Sequence, residues 1–214
     1  MINLEHVYLS YTKEYYTLFD ISMTVAKGKT AIVLGPLESG KSTLLRLIAG
    51  FEKPTSGVVT IDGVEPSKVD FKSGLSMGYL PQEGVFKESK TVYQNLVYPL
   101  KLRKTDKDII DIKVQNALKA YDLETLSNMP LKNLQSFDRY KVALARFSLR
   151  NIDLFLVDDI FSGVNADDAV TLAKYIAELI KNNGATAIVA CSDSKLCKLF
   201  KGEVIKLEQG SISA

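Results

Sequence analysis

Residues 35–43 read G-P-L-E-S-G-K-S-T, and they decide the fold. Gly35 and Gly40 stand five apart and are followed directly by Lys41 and Ser42, which is the pattern of a phosphate loop. Each residue type has a task there. The two glycines let the backbone wrap closely, and the N–H groups of Pro36's successors Leu37, Glu38 and Ser39 can turn toward phosphate oxygens. Lys41 reaches the outer phosphates, the Ser42 hydroxyl can ligate a divalent cation, and Thr43 opens the helix that follows. Leu37 and Glu38 are unusual fillers but leave the glycine spacing intact. The flanks agree: residues 30–34 (T-A-I-V-L) form a short apolar, β-branched run and residues 43–49 (T-L-L-R-L-I-A) a good helix. A chance Gly/Ser turn would lack this order of strand, loop and helix. The pattern implies a nucleoside triphosphate site.

Working outward, a chain of 214 residues with 46% hydrophobic content suits one domain, spanning 1–214, better than two. With 27 basic and 25 acidic residues the net charge is +2, which gives no field for wrapping nucleic acid, so no nucleic-acid partner is expected. The cluster Lys101, Arg103, Lys104, Lys107 reads as a solvated helix end, with proximity to lipid headgroups as the second option. The first residues carry no basic stretch followed by an apolar one, and no segment approaches the roughly eighteen apolar residues of a membrane span. A cytoplasmic location is expected, peripheral on the inner face of the cell membrane if a partner holds it there. Cys191 and Cys197, without a nearby histidine, support neither a disulfide framework nor zinc, and the single histidine, His6, falls in a strand-like run.

Residues 3–10 and 20–25 alternate as strands, and Lys27-Gly28-Lys29 turns the chain into the phosphate-loop strand. Residues 58–61 and 77–80 read as further strands, the latter running into Pro81-Gln82-Glu83. Helical spacing then takes over in residues 91–100, 106–121 and 137–149, with Pro99 and the polar stretch 128–133 as separators. Strand 153–157, helix 166–182, strand 186–190, a short helix and strand 203–207 follow. The expected fold class is α/β: a P-loop NTPase core with a mostly parallel sheet, an N-terminal antiparallel β flap and an inserted α-helical subdomain. Residues 1–87 and 151–214 make the core and 88–150 the insertion.

The whole chain in this order resembles the nucleotide-binding subunit of the ATP-binding cassette (ABC) transporter family. Beyond the phosphate loop, Tyr11 matches the aromatic residue that stacks on adenine, with Tyr15 or Tyr16 as alternatives for that task. Gln82 in Y-L-P-Q-E matches the glutamine that touches magnesium and faces the membrane subunit. Residues 154–159, L-F-L-V-D-D, match the apolar strand that ends in an acidic pair, with Phe161-Ser162 after it. Residues 91–103, T-V-Y-Q-N-L-V-Y-P-L-K-L-R, are similar to importer ATPases of the sugar and polyamine type. The resemblance implies ATP and Mg2+ as cofactors, with Ser42, Gln82 and Asp158 around the metal. Independently, an aspartate closing an apolar parallel strand beside a phosphate loop suits magnesium. It also implies two partners: a membrane-spanning transporter subunit and a second ABC ATPase, as a heterodimer rather than a homodimer. Partner contact is expected after Gln82, at Phe86, Tyr93, Tyr98 and Pro99; a helical subdomain also packs such aromatics inside itself.

Three departures from the family concern hydrolysis. Asp159 replaces the catalytic Glu and is one methylene shorter, a loss of reach of about 1.5 Å; misplacement by roughly 1 Å can cost on the order of a hundredfold. Ser192 stands where the family has a switch histidine and lacks its reach and charge. Counting back from V-A-L-A-R at 142–146 places L-Q-S-F-D at 134–138 on the family's L-S-G-G-Q signature. Phe137 adds bulk and Asp138 negative charge where that signature closes over a γ-phosphate, each like-charge pair costing roughly 3 kcal/mol at 5 Å. The plainer reading makes Ser136 a helix cap and Asp138 a first-turn acid. The expected function is an ATP-binding subunit of a transport complex with weak or absent hydrolysis; the alternative is an ATP-dependent regulatory module that does not rely on hydrolysis. A small-molecule phosphotransferase would share the loop but explains neither Gln82, the helical insertion nor V-A-L-A-R.

Overall fold

The computed structural model describes residues 1–12, 15–71, 74–82 and 86–213; Glu83 of the P-Q-E stretch lies outside them. Two sheets sandwich one helix. The antiparallel sheet is ordered β2-β1-β4, with β1 Ile2–Ser10, β2 Tyr16–Val25 and β4 Ser56–Ile61. The second sheet runs β5-β6-β7-β3-β8-β9, with β3 Thr30–Leu34, β5 Met77–Leu80, β6 Leu154–Asp158, β7 Thr186–Cys191, β8 Glu203–Glu208 and β9 Ser211–Ser213. All its neighbours are parallel except the β8/β9 pair.

The central strands are apolar on both faces, as a covered parallel sheet requires: every residue of β6 and β7 is buried. Their side chains alternate between two cores. Leu154, Leu156, Ile188 and Ala190 join Val33 and the buried face of α1 (Lys41–Ile48), which packs between this sheet and the antiparallel one. Phe155, Val157, Ala187 and Val189 join α5 (Ala166–Asn183) and the inserted helices α2 (Val92–Leu102), α3 (Lys107–Ala120) and α4 (Ser136–Ser148). A short α6, Ser194–Cys197, follows β7. Among the described residues no helix is long and apolar enough to cross a membrane.

Some local features differ from the sequence expectation. Strand β2 begins at Tyr16 rather than residue 20, because Asp20 and its neighbour across the ladder, His6, take left-handed φ values of 51° and 48°. These bulge residues shift the register between Leu4 and Val7, so alternation restarts out of phase. Asp20 Oδ1 and His6 Nδ1 lie 2.8 Å apart across the bulge. Pro99 does not separate two helices; it lies inside α2. It removes one hydrogen bond near the helix end, where buried Leu96, Val97 and Leu100 keep the last turn in register. Strand β9 is too short, three residues, to register as a pattern.

Candidate nucleotide site

The parallel register brings the carboxyl ends of β3, β6 and β7 side by side: Leu34 pairs with Cys191 and Asp158 with Ala190. Open α/β sheets bind ligands beyond such ends. The loop that follows β3 is anchored by Gly35 N–H donating to Cys191 O at 3.2 Å. A side chain at Gly35 would collide with the Leu207 carbonyl and come within 2.6 Å of Ser39 Oγ. Gly40 has φ 99° and would meet Leu18 at 2.9 Å, and Glu38 takes a left-handed φ of 63°. Alternating hand in successive residues turns N–H groups to one side, the nest geometry that receives anions. Helix α1 opens on Gly40 without a side-chain cap, and its first ladder bond is Leu44 N–H to Gly40 O at 2.9 Å. The amides of Lys41, Ser42 and Thr43 therefore precede the ladder and point out of the helix end. Leu37 projects outward, 70% exposed, with Pro36 and Glu38 exposed beside it, while Ser39 and Thr43 are buried in the loop's footing.

Lys41 is 5% exposed. Its Nζ donates to Gly35 O at 2.8 Å and Pro36 O at 2.7 Å and lies 3.4 Å from Asp159 Oδ2. Ser42 Oγ donates to Asp158 Oδ1 at 2.7 Å, and the Tyr79 hydroxyl donates to Asp158 Oδ2 at 2.9 Å. Burial, followed by the Asp158 charge, pushes the Tyr79 phenol well above its ordinary value. Asp159 is buried in a left-handed conformation, φ 40°, and Ser192 Oγ donates to the same Oδ2 that faces Lys41. Among the described residues, Asp159 Oδ1 and Ser39 Oγ are buried without a hydrogen-bond partner. Such orphaned atoms beside a phosphate-type loop mark places where a bound group or water completes the site. The donor set also fits magnesium: Ser42 and Asp158 supply hard oxygens. Among the described residues no group of three or more His, Cys, Asp or Glu could hold a metal ion.

Two expected site residues sit elsewhere. The Tyr11 hydroxyl donates to Glu52 Oε1 at 3.2 Å, past the far end of α1, and the ring is 55% exposed. Thr17 and Leu18 of β2, not Tyr11, pack on Gly40. Tyr16 stacks edge-on with Phe19 and Tyr8. Gln82 is exposed and donates from Nε2 to Ser162 Oγ at 3.0 Å; Ser162 Oγ donates to Asp159 O at 3.1 Å. The Tyr140 hydroxyl donates to Gln82 O at 2.6 Å. Gln82 is thus tied to the turn after Asp159 rather than to Ser42 or Asp158. Of the aromatic partner candidates, Phe86 and Pro99 line a groove of about 590 Å3 with Phe51, Tyr79 and Phe147. Tyr93 bonds Asp111 of α3, and the Tyr98 ring lies 3.5 Å beneath Lys87.

Residues 134–138 lie at the start of α4. Gln135, not Ser136, is the N-cap, with no side-chain cap bond; Ser136 is the first helical residue, which corrects the cap reading. Asp138 is in the first turn as expected, but Lys141, 7% exposed, lies 3.1 Å from its carboxylate and donates to Asp122 O at 3.1 Å. The i,i+3 spacing makes this pair possible. The charge that Asp138 would add beside a polyanion is therefore already partnered.

With this geometry in hand, comparisons identify the chain. Residues 18–162 match the ABC transporter family. The chain belongs to that family. It is 31% identical to the sn-glycerol-3-phosphate import ATP-binding protein UgpC of Brucella abortus, over 99% of this chain and 60% of that protein. It is 30% identical to the multiple sugar-binding transport ATP-binding protein MsmK of Streptococcus mutans, over 90% of this chain and 51% of that protein. This ABC chain thus spans about half to three-fifths of the length of these relatives; UgpC is an import protein by name, in keeping with the importer-like segment 91–103. In structure it matches cbiO1 of Clostridium perfringens, part of the ABC transporter complex cbiONQ, with TM-score 0.83 and 26% identity over 100% of this chain and 86% of that one. A dimeric bacterial ABC transporter cassette matches with TM-score 0.86 at 24% identity, over 100% of this chain and 97% of that one, which establishes the fold: an ABC ATPase fold, α/β with a mostly parallel sheet.

Tyr79, Ser162 and Lys141 are the site residues that sequence reasoning missed. Tyr79 stands three positions before Gln82 on the strand beside β6, which was the available signal. Ser162 stands in the Phe161-Ser162 pair after the acidic strand, but its contact with Gln82, like that of Lys141 with the Asp122 carbonyl, joins segments far apart in sequence that spacing does not reveal.

Proposed function

We propose that this chain is the ATP-binding subunit of an ABC transport complex that holds Mg-ATP in its phosphate loop and hydrolyses it slowly or not at all. The observation that carries this is the division between Asp158 and Asp159. Asp158 is held by Ser42 and Tyr79 as a magnesium carboxylate. Asp159 is drawn by Ser192 onto the oxygen that faces Lys41. A base occupied in this way, and shorter than glutamate, is poorly placed to orient water. The family's membrane subunits and second ATPases supply the partners: a membrane-spanning subunit docking over the apolar groove at Phe51, Phe86 and Phe147, and an ATPase with an intact signature facing this loop. That assembly would sit peripherally on the cytoplasmic face of the membrane. No nucleic-acid partner is proposed.

The second reading, an ATP-driven regulatory module, is favoured by the same engagement of Asp159 with Lys41 and Ser192. Asp159→Asn separates the two. Loss of all residual ATP turnover supports an enzyme; unchanged ATP-dependent association with its partner, with turnover absent in both forms, supports the switch.

A further inference from the structure

Tyr79 belongs to two places at once. Its hydroxyl donates at 2.9 Å to Oδ2 of Asp158, whose Oδ1 accepts from Ser42 at 2.7 Å. These two donors fix both carboxylate oxygens and so fix the carboxylate plane. The Tyr79 ring, meanwhile, forms part of the wall of the 590 Å3 apolar groove, where the half-exposed ring of Phe51 meets it edge-on, centroids 5.3 Å apart. Phe51 lies three residues past the end of α1 and Tyr79 lies on β5, so the pair joins the turn after the phosphate-loop helix to the strand beside Asp158.

We infer that Tyr79 is a positioning residue for magnesium: it orients Asp158 and links the wall of the apolar groove to the metal side of the nucleotide site. Partners that orient a metal-binding carboxylate are worth about ten- to a hundredfold in metal affinity. Pressure on Phe51 from anything seated in the groove reaches Asp158 through one ring and one hydroxyl. Gln82 does not carry this contact, since its amide is committed to Ser162. The inference rests on the reading of the loop as a Mg-ATP site.

The test compares ATP affinity of the purified chain by displacement of a fluorescent ATP analogue, once in saturating MgCl2 and once in EDTA. Tyr79→Phe keeps the ring and removes only the hydroxyl. It should weaken ATP binding about tenfold in magnesium and leave the EDTA value unchanged. Phe51→Ala, which frees the ring, should show the same magnesium-only loss at about two- to threefold. Equal affinities of Tyr79→Phe and the parent in magnesium would overturn the inference, as would an equal loss in both conditions, which marks a packing role. An unaffected Phe51→Ala would remove the link to the groove. Failure of the parent chain to bind ATP in either condition would instead remove the Mg-ATP reading, and this inference with it.

Discussion

The loop that would hold phosphate and the turn that would activate water are neighbours in space, yet they are built differently. In the loop, the shape is set by backbone, with Lys41 and Ser42 as its side-chain contributors: glycines where a Cβ has no room, a left-handed Glu38, and amides that precede the α1 ladder. In the turn after β6, function depends on side-chain reach, and there Asp159 and Ser192 are both short and bonded to each other. Backbone geometry tolerates unusual fillers such as Leu37 and Glu38. Side-chain chemistry does not tolerate a missing methylene in the same way, because proton transfer requires hydrogen-bond reach. The difference teaches that binding and turnover can part company within one site.

The largest effect should come from the residue shared by both regions. Lys41→Ala is expected to weaken ATP binding on the order of a hundredfold, since a charge-assisted phosphate contact is lost. It should also destabilise the fold by about 3 to 5 kcal/mol, because Asp159 would remain buried without its cation. Adding Asp159→Asn should restore most of the stability and none of the binding, as measured by urea unfolding and nucleotide titration. Recovery of both would merge the two regions into one.

A smaller effect sharpens the same division from the other side. Asp159→Glu combined with Ser192→His should raise turnover by about tenfold or more, by returning reach and an imidazole to the turn. ATP affinity should stay within about threefold, because the loop is untouched. A change in affinity without a change in turnover would reverse the roles assigned here.

The smallest effect concerns the footing of the turn. Cys191 ends β7, one residue before Ser192, and burial pushes its thiol up to about 12 from an ordinary value of 9.0. A raised acid in the folded state means that the unfolded chain loses its proton first. Its contribution to stability is therefore full below about pH 9 and declines as pH rises toward 12. The stability difference between the parent and Cys191→Ala should shrink over that window; a constant difference would show that the thiol does not titrate out of a buried site.

Much of this was legible in the chain itself. The phosphate loop, Asp158 at the end of an apolar strand and the α/β order with a helical insertion are contiguous patterns, so spacing alone exposes them. What stayed hidden depends on contacts between distant segments. Lys141 neutralises Asp138 only because it is buried against the Asp122 carbonyl, and a charge count cannot report that. Tyr11 lies on Glu52 rather than near Gly40, beyond a β1/β2 ladder whose register shifts between Leu4 and Val7, Val7 and Leu9, and Leu9 and Ser10, none of which spacing reports. Pro99 stays within its helix because burial of its neighbours outweighs one lost hydrogen bond.

The most direct test of the account is ATP binding and steady-state ATP turnover measured on one preparation of the purified chain in magnesium. Saturable ATP binding with turnover far below the roughly 10 per second typical of enzymes is the predicted result. Turnover at that ordinary level, with Asp159 and Ser192 in place, would contradict it.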